Sequence, residues 1–338
     1  MKTTTIIFTT TNPQGKMSEP TLKQKPGRKK GSKNKFKITD RPTDPKQLPT
    51  YRVTQRDLEV IYSVYTHRVL TTEQIQALHF ASPALCRSRL RRMFQHGLLW
   101  RTELPTKLSE GRRPLVYFLD EKGAEFLLEH YDLEPEDLDW DKEYNTVSDP
   151  FIEHLIKTNE IRIAFEIAAQ RNSMTIEKWL DDKTLKSKQQ KDYVTLTGPQ
   201  GGKLKTAIVP DGYFYFQLAE KQYSHNFLEV DRATVVGMYS QSGRRDWARK
   251  IRAYLAYHQQ GLYTKRYGTK SMRVLTVTTH QKRLQNLKAI TEKAGGKGRF
   301  WFTTFEQVTP EKVLTEFIWY KAGSNQLHSL TKDQLSQE

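Results

Sequence analysis

Three carboxylates near the ends of two strand-like runs are the residues of this chain best placed to do chemistry. The runs are Ile208-Val209-Pro210-Asp211-Gly212-Tyr213-Phe214 and Asn226-Phe227-Leu228-Glu229-Val230-Asp231-Arg232. Side chains alternate along a strand, so Glu229 and Asp231 share one face and Leu228 and Val230 the other. Acids at consecutive positions of one face repel unless a cation lies between them, and a divalent metal supplies one. A fourth acid, Glu160, falls inside an apolar helical stripe formed with Ile156, Ile163 and Ile167. A charge there needs a partner. Two partners are open: the same metal, or an ion pair with Arg162 or Arg232.

Pro210-Asp211, followed eighteen residues later by Glu229 on an acidic-apolar-x strand, resembles the Pro-Asp…(Asp/Glu)-x-Lys pattern of restriction-endonuclease-like nucleases. The resemblance implies Mg²⁺ held by Asp211 and Glu229, with Glu160 joining from the preceding helix, and a lysine that orients or activates the attacking water. Asp231 stands where that lysine belongs. Lys250, on a following helix, is the candidate substitute, so that Asp211, Glu229, Asp231 and Lys250 make up the expected catalytic set.

A wider set of residues is similar to the replication-relaxation family of plasmids and integrative elements. It comprises an N-terminal winged helix, His154-Leu155-x4-Glu160-Ile161-Arg162, Pro210-Asp211, Leu228-Glu229-Val230-Asp231-Arg232-Ala233-Thr234 and Lys250-Ile251-Arg252-Ala253-Tyr254-Leu255, within about residues 52 to 310. The resemblance implies DNA binding in the replication or mobilisation of a mobile element; cleavage does not follow from it. Other chemistries find no support. There is no His-x-His, no His-Glu-x-x-His, no phosphate-binding glycine loop and no Gly-x-Ser-x-Gly elbow. His154 and His258 fall on amphipathic helices, where a histidine is more often a satisfied packing residue than a ligand.

These residues must be positioned by an α/β arrangement. A helix is predicted from Pro150 to about Gln170, then strands near Met174–Leu180, Leu204–Val209, Tyr213–Leu218 and Asn226–Val230. A helix over Arg244–His258, a strand over Met272–Thr278, a helix over Gln281–Ala294 and a strand over Arg299–Phe305 follow. That order fits a mixed sheet between helices, with the restriction-endonuclease-like part expected over 150–320 and a flexible tail over 321–338.

Upstream the periodicity is helical. Leu58, Ile61, Tyr62 and Tyr65 form one stripe; Thr72 caps a short second helix carrying Ile75 and Leu78; Ser82-Pro83 opens a third that stops at Gly97. On the third helix Cys86, Leu90 and Met93 are the buried stripe, and Arg87 and Arg91, flanked by Arg89 and Arg92, point away. Two strand-like runs, Leu98–Leu104 and Pro114–Leu119, are joined by a basic loop containing Arg112 and Arg113. Residues 51–131 thus resemble a winged-helix domain in which the third helix and the loop contact DNA, the alternative being a solvated arginine face.

The first 50 residues hold twelve Lys and Arg against three acids and little apolar periodicity, which predicts a disordered basic arm. Its densest part, Lys23 to Lys37, has eight basic residues and no acid. Gly27-Arg28-Lys29-Lys30 resembles an AT-hook core, although Lys29 replaces the proline that keeps such a core extended; a tail binding any phosphate backbone is the alternative. Residues 132–149 carry eight acids and one lysine, Lys142, and read as a self-repelling linker or as a nucleic-acid mimic that shields the basic surfaces.

The whole chain of 338 residues carries 55 Lys and Arg against 38 Asp and Glu, a formal charge of +17, so a polyanion is the expected partner. One cysteine excludes internal disulfides and multi-cysteine zinc sites. No apolar run is long enough to span a membrane, and a cytoplasmic location is expected. Two functions compete: a DNA-binding protein of a plasmid or mobile element that cuts DNA with Mg²⁺, or a non-enzymatic winged-helix regulator whose degenerate nuclease fold serves dimerisation or partner binding. Double-stranded DNA is the partner in both; a homodimer and other proteins of the element are further expected partners.

Overall fold

Side-chain caps decide where the first elements begin. The computed structural model describes residues 41, 48, 50–104, 114–146, 149–198, 201–220, 222–233 and 241–332. In α1 (Gln55–His67) the Thr54 hydroxyl accepts from the Asp57 amide, and the Asp57 carboxylate accepts from the Thr54 amide. Thr71, one residue before the expected cap, does the same with Gln74 at the head of α2 (Thr72–His79). Ser82 and Pro83 open α3 (Pro83–Gln95), and Gly97 beyond it takes a φ of +80°, the left-handed turn that glycine adopts without strain.

The buried face of α1 is Asp57, Val60, Ile61, Val64 and His67, rotated from the expected stripe, and Tyr62 is exposed. The tyrosines carry a polar tip that favours the rim, so the slimmer valines take the interior. A short strand that periodicity does not reveal, β1 (Leu70–Thr71), joins β2 (Leu99–Glu103) and β3 (Leu115–Leu119) in an antiparallel sheet of order β1-β3-β2. Cys86, Leu90 and Met93 of α3 are fully buried in the core beneath that sheet. Next comes α4 (Glu121–Tyr131), capped by Asp120, and its Gly123 lies close to the sheet: a Cβ there would lie 2.2 Å from the Leu98 carbonyl oxygen.

The acidic stretch expected as a linker is packed where it is described. Leu138 is buried with the first core, Trp140 lies against it, and Lys183 donates to Asp139 at 2.6 Å. Two apolar side chains are enough to dock a segment that charge counting reads as free.

The long helix α5 (Asp149–Arg171) is common to both halves. Ile163 belongs to the first core and Ile161, Phe165 and Ala168 to the core of the large sheet. The Asn159 amide donates to the carbonyls of His67 and Val69 at 2.9 and 2.7 Å, and Gln74 donates to the Ile156 carbonyl at 2.9 Å. The expected domain boundary at 150 therefore coincides with the start of a shared element, and the described residues belong to one compact unit.

Beyond α5 the chain forms β4 (Ile176–Asp181), α6 (Asp182–Lys186), β5 (Asp192–Thr197), β6 (Lys203–Ile208), β7 (Gly212–Ala219), β8 (Gln222–Asp231), α7 (Gln241–Gln259), α8 (Leu262–Tyr267), β9 (Arg273–Thr278), α9 (Gln281–Lys293), β10 (Phe300–Thr304), β11 (Trp319–Lys321) and β12 (Leu327–His328). The large sheet has the order β12-β11-β10-β9-β8-β7-β4. Its centre, β8-β9-β10, is parallel, and antiparallel strands flank it on both sides. The mixed α/β class read from the sequence is thus the one observed. Strands β5 and β6 stay out of this sheet and pair as a separate ribbon.

One sheet face, with Phe214, Leu228 and Val230, packs on α5 and on Val313, Leu314 and Leu330. The other, with Phe227, Val274 and Phe302, packs on α7 to α9 and on Val194 and Leu196 of the ribbon. Residues 321 to 332, expected as the start of a flexible tail, instead contribute a two-stranded pairing and the fully buried Leu330. Burying a leucine is worth roughly 1.5 to 3 kcal/mol, which explains why the chain is held this far.

Candidate functional site

Asp211 and Glu229 meet because β7 and β8 are adjacent. Asp211 precedes β7, its amide donating to the Leu228 carbonyl at 3.0 Å, and its Oδ2 accepts from the Val230 amide at 2.7 Å. Glu229 follows the alternation read from the sequence: it shares the Phe227 face of β8, on which α7 lies. From α7, Lys250 and Tyr254, four residues apart and so on one helix face, both reach it. The Lys250 ammonium pairs with Glu229 Oε2 and the Tyr254 hydroxyl donates to Oε1. From α5, His154 Nε2 lies 3.1 Å from Asp211 Oδ1.

Burial dominates the electrostatics. It pushes the Glu229 carboxyl up to about 7 in spite of Lys250 beside it, with the Asp211 charge adding to the rise. Burial acts in the same direction on Asp211, yet the His154 hydrogen bond, the Lys250 charge and the Val230 amide together hold its carboxyl below the ordinary carboxylate range. For Lys250, desolvation is outweighed by Glu229 and Asp211, and its ammonium is held above the usual value. The cluster is one firmly ionised acid, one acid poised near neutrality, and an ammonium that serves both.

Asp231 is drawn away from this group. Arg283 of α9 grips it through two nitrogens, and the Thr278 hydroxyl donates to it at 2.6 Å. Arg232 turns to Glu153 and to the Pro150 carbonyl. Glu160 does not join either: it is 43% exposed and pairs with Lys157 at 2.6 Å. Neither expected partner takes it, since Arg162 holds Glu166 at 2.7 Å. The stripe around Glu160 is interrupted because α5 has two buried faces, which removes the single polar side that periodicity assumes.

A divalent cation fits this arrangement poorly. Both Glu229 oxygens have donors, both Asp211 oxygens have donors, and the positive charge between them is already supplied by Lys250. Among the described residues no group of three or more His, Cys, Asp or Glu is placed to hold a metal ion. Lys250 was the residue expected to replace the missing lysine of the strand, and it does reach Glu229. Tyr254 and His154 are the members not assigned to the expected catalytic set, although both stand in the stretches quoted for the family resemblance, and Tyr254 lies one helical turn from Lys250.

The second candidate surface is α3. Arg87, Arg91 and Arg92 are exposed, and among the described residues no carboxylate lies within ion-pair distance of them. Arg89 differs from its neighbours: it clasps Asp57 through two nitrogens and lies 4.7 Å from the Tyr51 ring centre, fastening α3 to α1. Arg112 and Arg113 of the loop, and Arg28, Lys29 and Lys30 of the arm, lie outside the described residues. No described helix is long and apolar enough to cross a membrane.

Comparison with curated proteins and with solved structures finds no match. The profile of one family, described as replication-relaxation, matches residues 61–272, a stretch that begins in α1, takes in α3, α5, Asp211, Glu229 and Lys250, and ends before β9. It covers well over half of the chain and both candidate surfaces, and on that match the chain belongs to the replication-relaxation family, which suggests a role in the replication or relaxation of a plasmid or mobile element.

Proposed function

We propose that the protein binds double-stranded DNA during replication or mobilisation of a plasmid or integrative element, and that α3 is its reading helix. The observation that carries this is the trio Arg87, Arg91 and Arg92, three exposed guanidinium groups on one short helix with no ion-pair partner among the described residues. Guanidinium groups with no ion-pair partner among the described residues keep their donors open to phosphates and guanine edges. The order helix, strand, helix, helix, strand, strand in residues 55–119 supports the winged-helix reading, and the basic arm would add sequence-independent affinity.

For the second half, the neutralised Asp211–Glu229–Lys250 cluster favours the regulator over the nuclease. Its acids are bound to protein donors rather than presented to a metal, and the cluster ties α5, β7, β8 and α7 together. The deciding experiment measures duplex binding by fluorescence anisotropy across a salt series, for wild type and for Arg87→Ala/Arg91→Ala/Arg92→Ala. If all three meet phosphates, the log-log slope drops by about 2.7, at about 0.9 per contact. If Arg87 and Arg91 read bases, selectivity falls by roughly 1 to 3 kcal/mol per arginine instead. Unchanged affinity, slope and selectivity would remove α3 from the interface. Nicking of supercoiled DNA that requires both Mg²⁺ and Lys250 would restore the nuclease.

A further inference from the structure

We infer that the end of the large sheet opposite the carboxylate cluster holds a nucleotide-phosphate site. A cavity of about 800 Å³ opens there, at the start of β9 and β10, and Arg273, Arg299 and Lys321 line it. No Asp or Glu is among the described residues of its wall. Arg299 and Lys321 facing a concave space with no acid in its described wall raise the local potential in favour of an anion.

Arg273 forms the back of the cavity, and Arg299 and Lys321 are held in place by groups that do not neutralise them. Arg273, 8% exposed, stacks 4.3 Å from the Trp301 ring centre and donates to the Ser224 hydroxyl at 3.2 Å. Arg299 touches the carbonyls of Lys270 and Met272 only at 3.4 Å, through Nη1, so Nε and Nη2 have no partner among the described residues. Lys321 lies along the backbone of Gly298, where a Cβ would come within 2.9 Å of its Cε. The run Gly295-Gly296-Lys297-Gly298-Arg299 thereby delivers one cation and makes room for another.

The volume exceeds what a bare oxyanion needs and suits a mononucleotide. Phe317, 49% exposed, lines the same cavity and offers a face on which a base stacks, an interaction worth roughly 1 to 3 kcal/mol per base. The ligand is therefore a nucleotide recognised by its phosphate, either free or at the 5′ end of a nucleic-acid strand.

Calorimetric titration of the full chain would use deoxyadenosine monophosphate, a six-nucleotide single strand with a 5′-phosphate, the same strand with a 5′-hydroxyl, and inorganic phosphate. The strand with the phosphate is expected to bind at least about tenfold more tightly than the one without, and Arg299→Ala/Lys321→Ala is expected to erase that difference. Both side chains are partly exposed, so an unchanged melting temperature certifies the variant's fold. Phe317→Ala should weaken the nucleotide and leave inorganic phosphate unaffected. Tighter binding of the strand than of the monophosphate identifies a strand end as the ligand; the reverse identifies the free nucleotide. Equal binding of the two strands, unaltered by Arg299→Ala/Lys321→Ala, would overturn the inference.

Discussion

Replacing Glu229 by glutamine tests whether the buried acid is poised near neutrality. Its carboxyl titrates near 7 in the folded protein and near 4.5 when exposed. A group whose folded pKa is raised contributes stability below its unfolded pKa and loses it as pH climbs through the folded one. At about 1.36 kcal/mol per pH unit between those two values, wild type loses on the order of 3 kcal/mol between pH 4.5 and somewhat above 7. Glu229→Gln lacks this loss. His79, which burial holds down to about 4, works in the opposite sense over much of the same range, so the wild-type curve alone is uninformative and the difference between the two proteins is what counts. Urea denaturation at pH 4.5, 6 and 8 gives that difference. It should move in favour of Glu229→Gln by about 3 kcal/mol across the range, whatever constant offset arises from leaving Lys250 with Asp211 alone. A difference flat to within about 1 kcal/mol would falsify the assignment of a poised, desolvated carboxyl.

Three further outcomes are expected. Millimolar Mn²⁺ should leave the melting temperature of wild type unchanged and raise that of Lys250→Ala, whose two carboxylates have lost their ammonium; stabilisation of wild type by Mn²⁺ would return a metal to the site. Arg89→Met should cost on the order of 3 kcal/mol in urea denaturation by stranding buried Asp57, while the salt slope of duplex binding stays put; a changed slope would make Arg89 a phosphate contact. Gly123→Ala should cost about 1 to 3 kcal/mol, because the new methyl meets the Leu98 carbonyl and, at 2.8 Å, Leu119 Cδ1; a neutral result would mean that α4 shifts freely.

Much of the scaffold is legible in local signals. Ser82-Pro83 and the alternation through Leu228-Glu229-Val230-Asp231 each act within a few residues, and each is found as read. What escapes is decided by distant neighbours. Periodicity on α1 is compatible with two stripes one position apart; the polar tips of Tyr62 and Tyr65 and the Asp57–Arg89 clasp both favour the observed one. Glu160 sits in an apolar stripe on paper, but a helix buried on two sides leaves a narrow exposed strip, and Glu160 is on it. Asp231 looks like a ligand beside Glu229 until Arg283, fifty-two residues later, claims it. Charge-rich segments mislead in the same way: Leu138 and Leu330 are single residues within polar stretches, yet each is buried. The site was legible as residue types and incompletely legible as pairings, since pairings depend on which helix covers which strand.

The double burial of α5 bears on how such a protein can be inherited. Between His154 and Glu166 the helix rises about 18 Å, and over that span it is fastened to the His67–Val69 corner by Asn159, to the Thr66 carbonyl by Arg162 and to Asp211 by His154. A recombination joint on either side of α5 would give one parent's helix to the other parent's core, leaving Ile161 and Phe165, or Ile163 and Asn159, facing a surface that did not evolve with them. The two halves are therefore expected to be inherited together, and change on the exposed face of α3 to arise by substitution rather than by exchange of the N-terminal half.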